Sequence, residues 1–192
     1  SIVGGGENAC ILHYTDNKDS VADGELVLID AGAEYGCYAA DITRTFPVNG
    51  SFTAEQKALY EIVLLAQQAA IEKVKHYNNW DEPHSAALLV IVEGLKDLEI
   101  LSGSTEEIIE TEIYKKFFMH KTGHWLGLDV HDVGDYKIDN QWRIFEPGMV
   151  TTVEPGIYVP DIGGVRIEDD VIVTKNGAEI LNKTSKEFQI IS

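Results

Sequence analysis

Apolar and polar residues alternate in three short stretches near the start of the chain, at residues 11–14, 25–30 and 40–46. Turn-forming Asp, Asn, Lys and Gly residues separate these stretches, a pattern that is typical of neighbouring strands. The sequence therefore predicts that the chain begins with an antiparallel β ladder.

From Thr53 onward the spacing of the apolar residues changes to that of a helix. Thr53 and Gln56 occupy the positions of a capping box, and apolar residues recur at three- and four-residue intervals to about His76. This pattern predicts a long amphipathic helix. A second helix is predicted to start at residue 81, and residues 104–110 predict a short third helix.

After Phe117 the chain is expected to return to β structure, with strands at residues 149–154 and 165–173 joined by Pro- and Gly-rich turns. The order of β ladder, helices and β ladder predicts an α+β fold, with the helices on one face of a curved antiparallel sheet. A length of 192 residues suits one domain, and no low-complexity linker divides the chain.

The charge balance argues against nucleic acid as a partner. The chain has 15 Lys+Arg against 32 Asp+Glu, a net charge of −17, which would repel a phosphate backbone. No apolar run reaches the ~18 residues of a membrane span, so we expect no membrane partner. Cys10 and Cys37 are too few for a disulfide framework, and reduced thiols are typical of a cytoplasmic protein.

Four acidic residues interrupt stretches that are otherwise apolar and strand-like. Asp30 and Glu154 each close an apolar run, whereas Asp41 and Glu168 lie within predicted strands. Burial of an ionised carboxylate is costly without a compensating cation, so four such positions indicate a metal site, although each alone is more typical of a turn or cap. Arg166 shares a strand face with Glu168 and is expected to pair with a ligand carboxylate, or with Glu168 itself as a simple ion pair.

Three histidines, His120, His124 and His131, are clustered in one short segment. An imidazole is a good metal ligand and also titrates near neutral pH, so one histidine could join the carboxylates while others move protons or hold an oxyanion. Two other histidines, His76 and His84, lie at helix ends and are interpreted as structural.

Competing motifs do not fit the chain. It has no His-Glu-x-x-His segment, which argues against a zincin. Residues 19–24 resemble a calcium loop, but Val21 replaces an oxygen ligand and Asp30 stands where the bidentate Glu belongs. No serine or cysteine stands in a nucleophile elbow.

These residues resemble the pita-bread metallopeptidases, and within them the bacterial aminopeptidase P (Xaa-Pro aminopeptidase) group. The resemblance covers nearly the whole chain. It is carried by residues 7–14, 29–32, 41–47, 124–134, 146–149, 153–156 and 166–170.

The resemblance implies the pita-bread (creatinase/aminopeptidase) fold and two divalent metal ions, most often manganese (Mn²⁺). The metal ligands that it implies are Asp30, Asp41, His124, Glu154 and Glu168. Asp41 and Glu168 would contact both metals, Asp30 would complete one site, and His124 and Glu154 the other. Glu154 would also accept a proton when a water that bridges the metals attacks the scissile carbonyl as hydroxide.

The resemblance also implies catalytic roles outside the ligand set. His13, His120 and His131 match histidines that bind the peptide and stabilise the tetrahedral intermediate, and Arg166 matches an arginine beside the metal ligands. Tyr158 is expected to line the same substrate pocket.

The chain departs from the family pattern at residues 121–123 and in a short connection at 160–164, which affects the details of the substrate pocket. The family also carries an N-terminal domain and two helices ahead of the first strand. We therefore expect residues 1–192 to be the catalytic domain, truncated at its N-terminus.

The implied function is a cytoplasmic aminopeptidase that removes the residue in front of an N-terminal proline, working as a homo-oligomer in the full-length protein. An Xaa-Pro dipeptidase (prolidase) is the alternative, and methionine aminopeptidase fits the motifs less well. A non-catalytic pita-bread binding domain is a further alternative, but all five ligand positions are intact.

Overall fold

The computed structural model describes residues 1–186. Within that range the strands are β1 Ile2–Gly5, β2 Leu26–Asp30, β3 Glu34–Tyr35, β4 Tyr38–Ala39, β5 Thr43–Pro47, β6 Lys137–Ile138, β7 Gln141–Trp142, β8 Val150–Val153, β9 Gly156–Val159, β10 Gly163–Arg166, β11 Asp169–Val173 and β12 Ala178–Ile180. The α-helices are α1 Ala54–Ile71, α2 Asp81–Asp97 and α3 Thr105–Glu110. Two 3₁₀ helices span Gly6–Cys10 and Ile113–Lys116.

The first ladder is the antiparallel sheet β1-β2-β5, which confirms the predicted ladder and two of its strands. The third prediction, a strand at residues 11–14, is wrong. The backbone N–H of Ile11 donates to Asn8 and that of Tyr14 donates to Ile11, so this segment forms turns. Strand β1 was not predicted, because two of its four residues are glycines, which are depleted in strands.

Helix α1 begins where the capping box predicts. The hydroxyl of Thr53 accepts from the backbone N–H of Gln56 at 3.2 Å, and the Gln56 side chain accepts from the N–H of Thr53 at 2.9 Å. The helix ends at Ile71, before the predicted His76. Tight turns follow, and the His76 ring bonds the carbonyl of Phe145 at 3.0 Å, which draws the chain away from the helix axis.

Helices α1 and α2 pack against each other over fully buried apolar faces. Gly94 of α2 allows close contact, because a Cβ there would stand 2.7 Å from the side chain of Ile62. Residues of α1 such as Leu59 and Val63 join Val165 of β10 in the main core. This arrangement confirms the predicted α+β class.

The predicted strand at residues 165–173 is divided into β10 and β11. Between them, Ile167 donates its N–H to Pro155, whereas the N–H of Glu168 donates to the carbonyl of Thr43 at 3.1 Å. Thr43 and Glu168 form an isolated antiparallel bridge that connects the two ladders. Strand β9, which starts at the Gly156 that the sequence indicated as a turn, pairs with β10 as a hairpin.

Helices long and apolar enough to cross a membrane are absent from the described range, residues 1–186. Cys10 and Cys37 are both free thiols, in agreement with the expectation that they form no disulfide framework.

The capping box should contribute measurably to stability. We expect Thr53→Ala to lower the free energy of unfolding by about 1 kcal/mol, because the first turn of α1 loses its side-chain acceptor. Thr53→Ser keeps the hydroxyl and is the matched control. Urea unfolding followed by circular dichroism measures both, and equal stability of the two variants would contradict the role of the cap.

Candidate metal centre

The predicted ligands meet where the two ladders join. Asp30 ends β2, Asp41 precedes β5, Glu154 follows β8, and Glu168 lies between β10 and β11. The cavity that they border has a volume of about 250 Å³. Among the residues that line it are nine of the predicted site residues: His13, Asp30, Asp41, His120, His124, His131, Glu154, Arg166 and Glu168.

Asp41, His124 and Glu168 form the tightest group. One potential ligand atom from each lies within 4.8 Å of the others. Nε2 of His124 is 3.5 Å from a carboxylate oxygen of Asp41 and 3.5 Å from one of Glu154. Nδ1 of His124 lies 3.0 Å from the carbonyl of Trp125 and must donate its proton there, which leaves Nε2 for a metal.

Glu168 provides the most direct evidence that these residues suit a cation. Its side chain is almost fully buried, and one carboxylate oxygen accepts from the Thr43 hydroxyl at 2.6 Å. The other oxygen, Oε1, is buried without a hydrogen-bond partner among the described residues. Burial, followed by the charges of Glu154 and Asp41, holds the pKa of Glu168 well above its usual range. The residues present therefore fit a bound cation.

The neighbouring carboxylates also have shifted pKa values. Burial raises the pKa of Glu154 to about 7, against partial compensation by His124 and Arg166. Burial also raises the pKa of Asp30. Burial pushes the pKa of Asp41 upward too, but hydrogen bonds from His124 and Asp30 outweigh it and lower the pKa. The pKa values of these two aspartates are therefore shifted in opposite directions.

Arg166 fixes one side of the centre. Its guanidinium contacts Asp30 at 2.6 Å, donates to the Thr43 hydroxyl at 3.1 Å and donates to the Tyr158 hydroxyl at 3.2 Å. The ion pair is therefore with Asp30, and the alternative of a simple pair with Glu168 is not what the structure shows. The break between β10 and β11 interrupts the strand alternation on which that alternative depended.

His120 and Tyr158 continue the network away from Asp30. Nδ1 of His120 donates to the Lys121 carbonyl at 2.7 Å, so Nε2 must accept the proton of the Tyr158 hydroxyl at 2.8 Å. Burial lowers the pKa of His120 to about 4, which keeps the ring neutral. Tyr158 itself is buried in β9, so it contacts the centre through His120 and Arg166.

His13 and His131 lie at the exposed side of the cavity. The ring of His131 packs edge-on against that of His124, with 4.3 Å between the ring centroids. Burial and then His124 lower the pKa of His131. His76 and His84 bond Phe145 and Thr122 and do not line this cavity.

Sequence reasoning missed Thr43, whose hydroxyl contacts both Glu168 and Arg166. The available signal was the two-residue period from Asp41, which places Thr43 on the same side of the chain. It also missed Asp170, whose carboxylate accepts from the N–H of Asp41 at 3.2 Å.

Comparisons with known proteins identify relatives of this chain. The sequence profile of metallopeptidase family M24 matches residues 1–175. The Xaa-Pro aminopeptidase of Haemophilus influenzae is 52% identical over 190 residues, which cover 94% of this chain and 44% of that protein. The solved structure of Pseudomonas aeruginosa aminopeptidase PepP has a TM-score of 0.93 at 52% identity, over 97% of this chain and 46% of that one.

A related dipeptidase is more distant. Human Xaa-Pro dipeptidase is 39% identical over 222 residues, which cover 94% of this chain and 45% of that protein. The chain therefore spans less than half the length of these relatives. The structural match confirms the predicted pita-bread fold, and the family match implies divalent metal ions.

The crowded carboxylates make a prediction about pH for the metal-free protein. The pKa of Glu154 in the fold is about 7, against a usual 4.5, so the folded state binds more protons than the unfolded state between these values. The free energy of unfolding should therefore fall as the pH rises from about 4.5 to about 7. Urea unfolding with chelator at several pH values measures this slope.

Glu154→Gln should flatten the slope, whereas Glu146→Gln, at an exposed glutamate, should leave it unchanged. A saturating divalent cation should reverse the trend, because it binds the deprotonated carboxylates of the folded state. An equal slope in all three proteins would show that Glu154 does not carry the effect.

Proposed function

The chain belongs to metallopeptidase family M24, and on that premise we propose that it is the catalytic domain of a metalloaminopeptidase that cleaves between an N-terminal residue and a following proline. The observation that carries the proposal is the buried, unpartnered oxygen of Glu168 beside Asp41 and His124. The higher identity to Xaa-Pro aminopeptidase than to Xaa-Pro dipeptidase favours this substrate class.

The proposed cofactor is a pair of divalent ions, with Mn²⁺ as the first candidate. Asp41 and Glu168 are assigned to both ions, Asp30 to one, and His124 and Glu154 to the other. When bound, such ions supply Lewis acidity that polarises a carbonyl and makes a water more acidic. Four carboxylates and a neutral imidazole are a donor set that suits hard divalent ions.

Glu154 is the proposed proton acceptor. Its carboxylate lines the cavity beside His124, where a general base can accept a proton and return it to the leaving nitrogen. The hydrogen bond from Thr152 at 3.3 Å and the backbone contact to Thr122 at 2.8 Å hold this carboxylate in place.

The outer histidines are proposed to bind and orient the peptide. His13 and His131 stand at the exposed side of the cavity, where a substrate carbonyl would arrive. His120 has a fixed tautomer and accepts from Tyr158, so the two residues act as a pair that shapes the pocket. Arg166 contacts both Asp30 and Tyr158, and its proposed contribution to catalysis is to position them.

The assignment of residues 1–192 as a catalytic domain truncated at its N-terminus is part of this proposal, as is a peptide substrate with proline in second position. A cytoplasmic location and a homo-oligomeric full-length protein are further parts of it. The free thiols of Cys10 and Cys37 support the proposed location, and the family resemblance supports both the location and the oligomeric state.

Substrate length separates the two enzymatic alternatives. We expect the full-length protein with Mn²⁺ to hydrolyse a tripeptide Xaa-Pro-Yaa at least about tenfold faster than the dipeptide Xaa-Pro, as kcat/KM. A tripeptide with alanine in second position is the control and should be cleaved poorly. Preference for the dipeptide would instead establish an Xaa-Pro dipeptidase, and no hydrolysis by metal-loaded protein would favour a binding domain.

Metal content separates ligands from outer histidines. His124→Ala and Glu168→Gln should lose metal, because each removes a donor from the group around Asp41. His131→Ala should keep both ions and lose turnover on the order of 100-fold, because its role lies in the transition state. Elemental analysis and peptide hydrolysis of the same samples test this, and equal metal loss in all three variants would contradict the distinction.

A further inference from the structure

A second cavity, also of about 250 Å³, lies behind one wall of the metal centre. We call it the aromatic cavity and define it by Trp80, His84, Lys121, Trp142, Phe145 and Val153. It shares only Lys121 and Gly123 with the lining of the metal cavity. None of the residues assigned above to metal or peptide binding lines it.

The walls of the aromatic cavity are apolar and held in place by ring packing. The ring of Trp80 lies 4.0 Å from that of Trp125, 4.7 Å from that of Tyr136 and 5.4 Å from that of Phe145, measured between centroids. Such mutual packing gives a largely preformed site. An apolar cavity of about 150 Å³ accepts benzene, so this volume suits a molecule of two fused rings.

One polar group in the cavity is available to orient a ligand. Nδ1 of His84 bonds the Thr122 hydroxyl at 2.9 Å, and within residues 1–186 this is the only hydrogen bond of its side chain. Nε2 therefore remains for a ligand. Burial lowers the pKa of His84 to about 4, so the ring is neutral and offers a hydrogen bond without a charge.

The charges around the cavity select against a cation. The positive charges of Lys121 and Lys115 lower the pKa of His84, and the negative charge of Asp81 raises it. The ammonium group of Lys137 also lies 4.0 Å from the ring of Trp142. This local excess of positive charge stands out in a chain with a net charge of −17. A neutral or anionic ligand is therefore favoured over a cationic one.

The wall between the two cavities connects His84 to the metal centre. Thr122 bonds His84 through its hydroxyl and accepts the N–H of Glu154 through its carbonyl at 2.8 Å. The next residue, Gly123, packs so closely that a Cβ would stand 2.1 Å from the carbonyl of Thr152. A ligand that fixes His84 would therefore also fix the backbone that carries Glu154.

We propose that the aromatic cavity binds a small two-ring aromatic molecule, neutral or anionic, and that this binding tightens the affinity of the neighbouring centre for divalent metal. The inference rests on the cavity and its shared wall, and it does not depend on the peptide substrate proposed above. By linkage, metal should tighten binding of the aromatic ligand by the same factor.

Indole is a suitable neutral probe and tryptamine its cationic counterpart. Calorimetry of the metal-free protein should give a dissociation constant below about 1 mM for indole and at least tenfold weaker binding of tryptamine. Trp142→Ala, at a half-buried wall residue, should weaken indole binding at least tenfold. Tyr35→Ala, at an aromatic residue that is 92% exposed, should leave it unchanged.

The coupling is tested by titrating Mn²⁺ with and without saturating indole. We expect at least about fivefold tighter Mn²⁺ binding with indole, the lower range of typical couplings. His84→Leu should bind Mn²⁺ normally but lose this effect, and a thermal melt establishes that each variant is folded.

Three results would overturn the proposal: no indole binding, binding that neither Trp142→Ala nor His84→Leu weakens, or Mn²⁺ affinity that indole does not change. Hydrolysis of an Xaa-Pro-Yaa peptide without indole is independent of all three, so failure here is distinguishable from failure of the proposed function.

Discussion

The mutual repulsion of carboxylates buried in one cavity is the constraint on which this structure depends. Asp30, Asp41, Glu154 and Glu168 come from four separate segments and meet where the two ladders join. Without a cation, burial favours the protonated forms of Glu154 and Glu168, whose pKa values it raises. Divalent ions would remove that penalty, so folding and metal binding are energetically linked at this site.

The backbone departs from regular strand geometry where it positions these acids. Between β10 and β11 the chain leaves strand geometry, and Glu168 crosses to bridge Thr43 of the other ladder. The same threonine hydroxyl contacts Arg166, which holds Asp30. Thr43 therefore joins one acid from each ladder into a single unit, although it carries no charge itself.

The sequence predicted what depends on local pattern and missed what depends on tertiary contacts. The capping box of Thr53 and Gln56 is a local device, and it appears in the fold where the sequence placed it. Asp30 and Glu154, which close apolar runs, could also be identified from the sequence. The segment at 11–14 alternates like a strand but has no partner strand, so it forms turns instead. The break near Glu168 and the pairing of His120 with Tyr158 arise only when distant segments meet.

The consecutive acids Glu168, Asp169 and Asp170 show how the fold separates structural carboxylates from candidate metal ligands. All three are buried. Asp169 is neutralised by protein cations, since its two oxygens contact Arg44 at 2.7 Å and Lys186 at 2.6 Å.

Asp170 accepts the backbone N–H of Asp41 and so helps to position a candidate ligand, and burial raises the pKa of its carboxyl to about 6. Of these three acids, only Glu168 keeps an oxygen that nothing in the described range satisfies. Asp169 has two cationic partners and Asp170 accepts a backbone N–H, so the unsatisfied oxygen distinguishes Glu168 from both neighbours. It marks the position at which the fold leaves room for a metal.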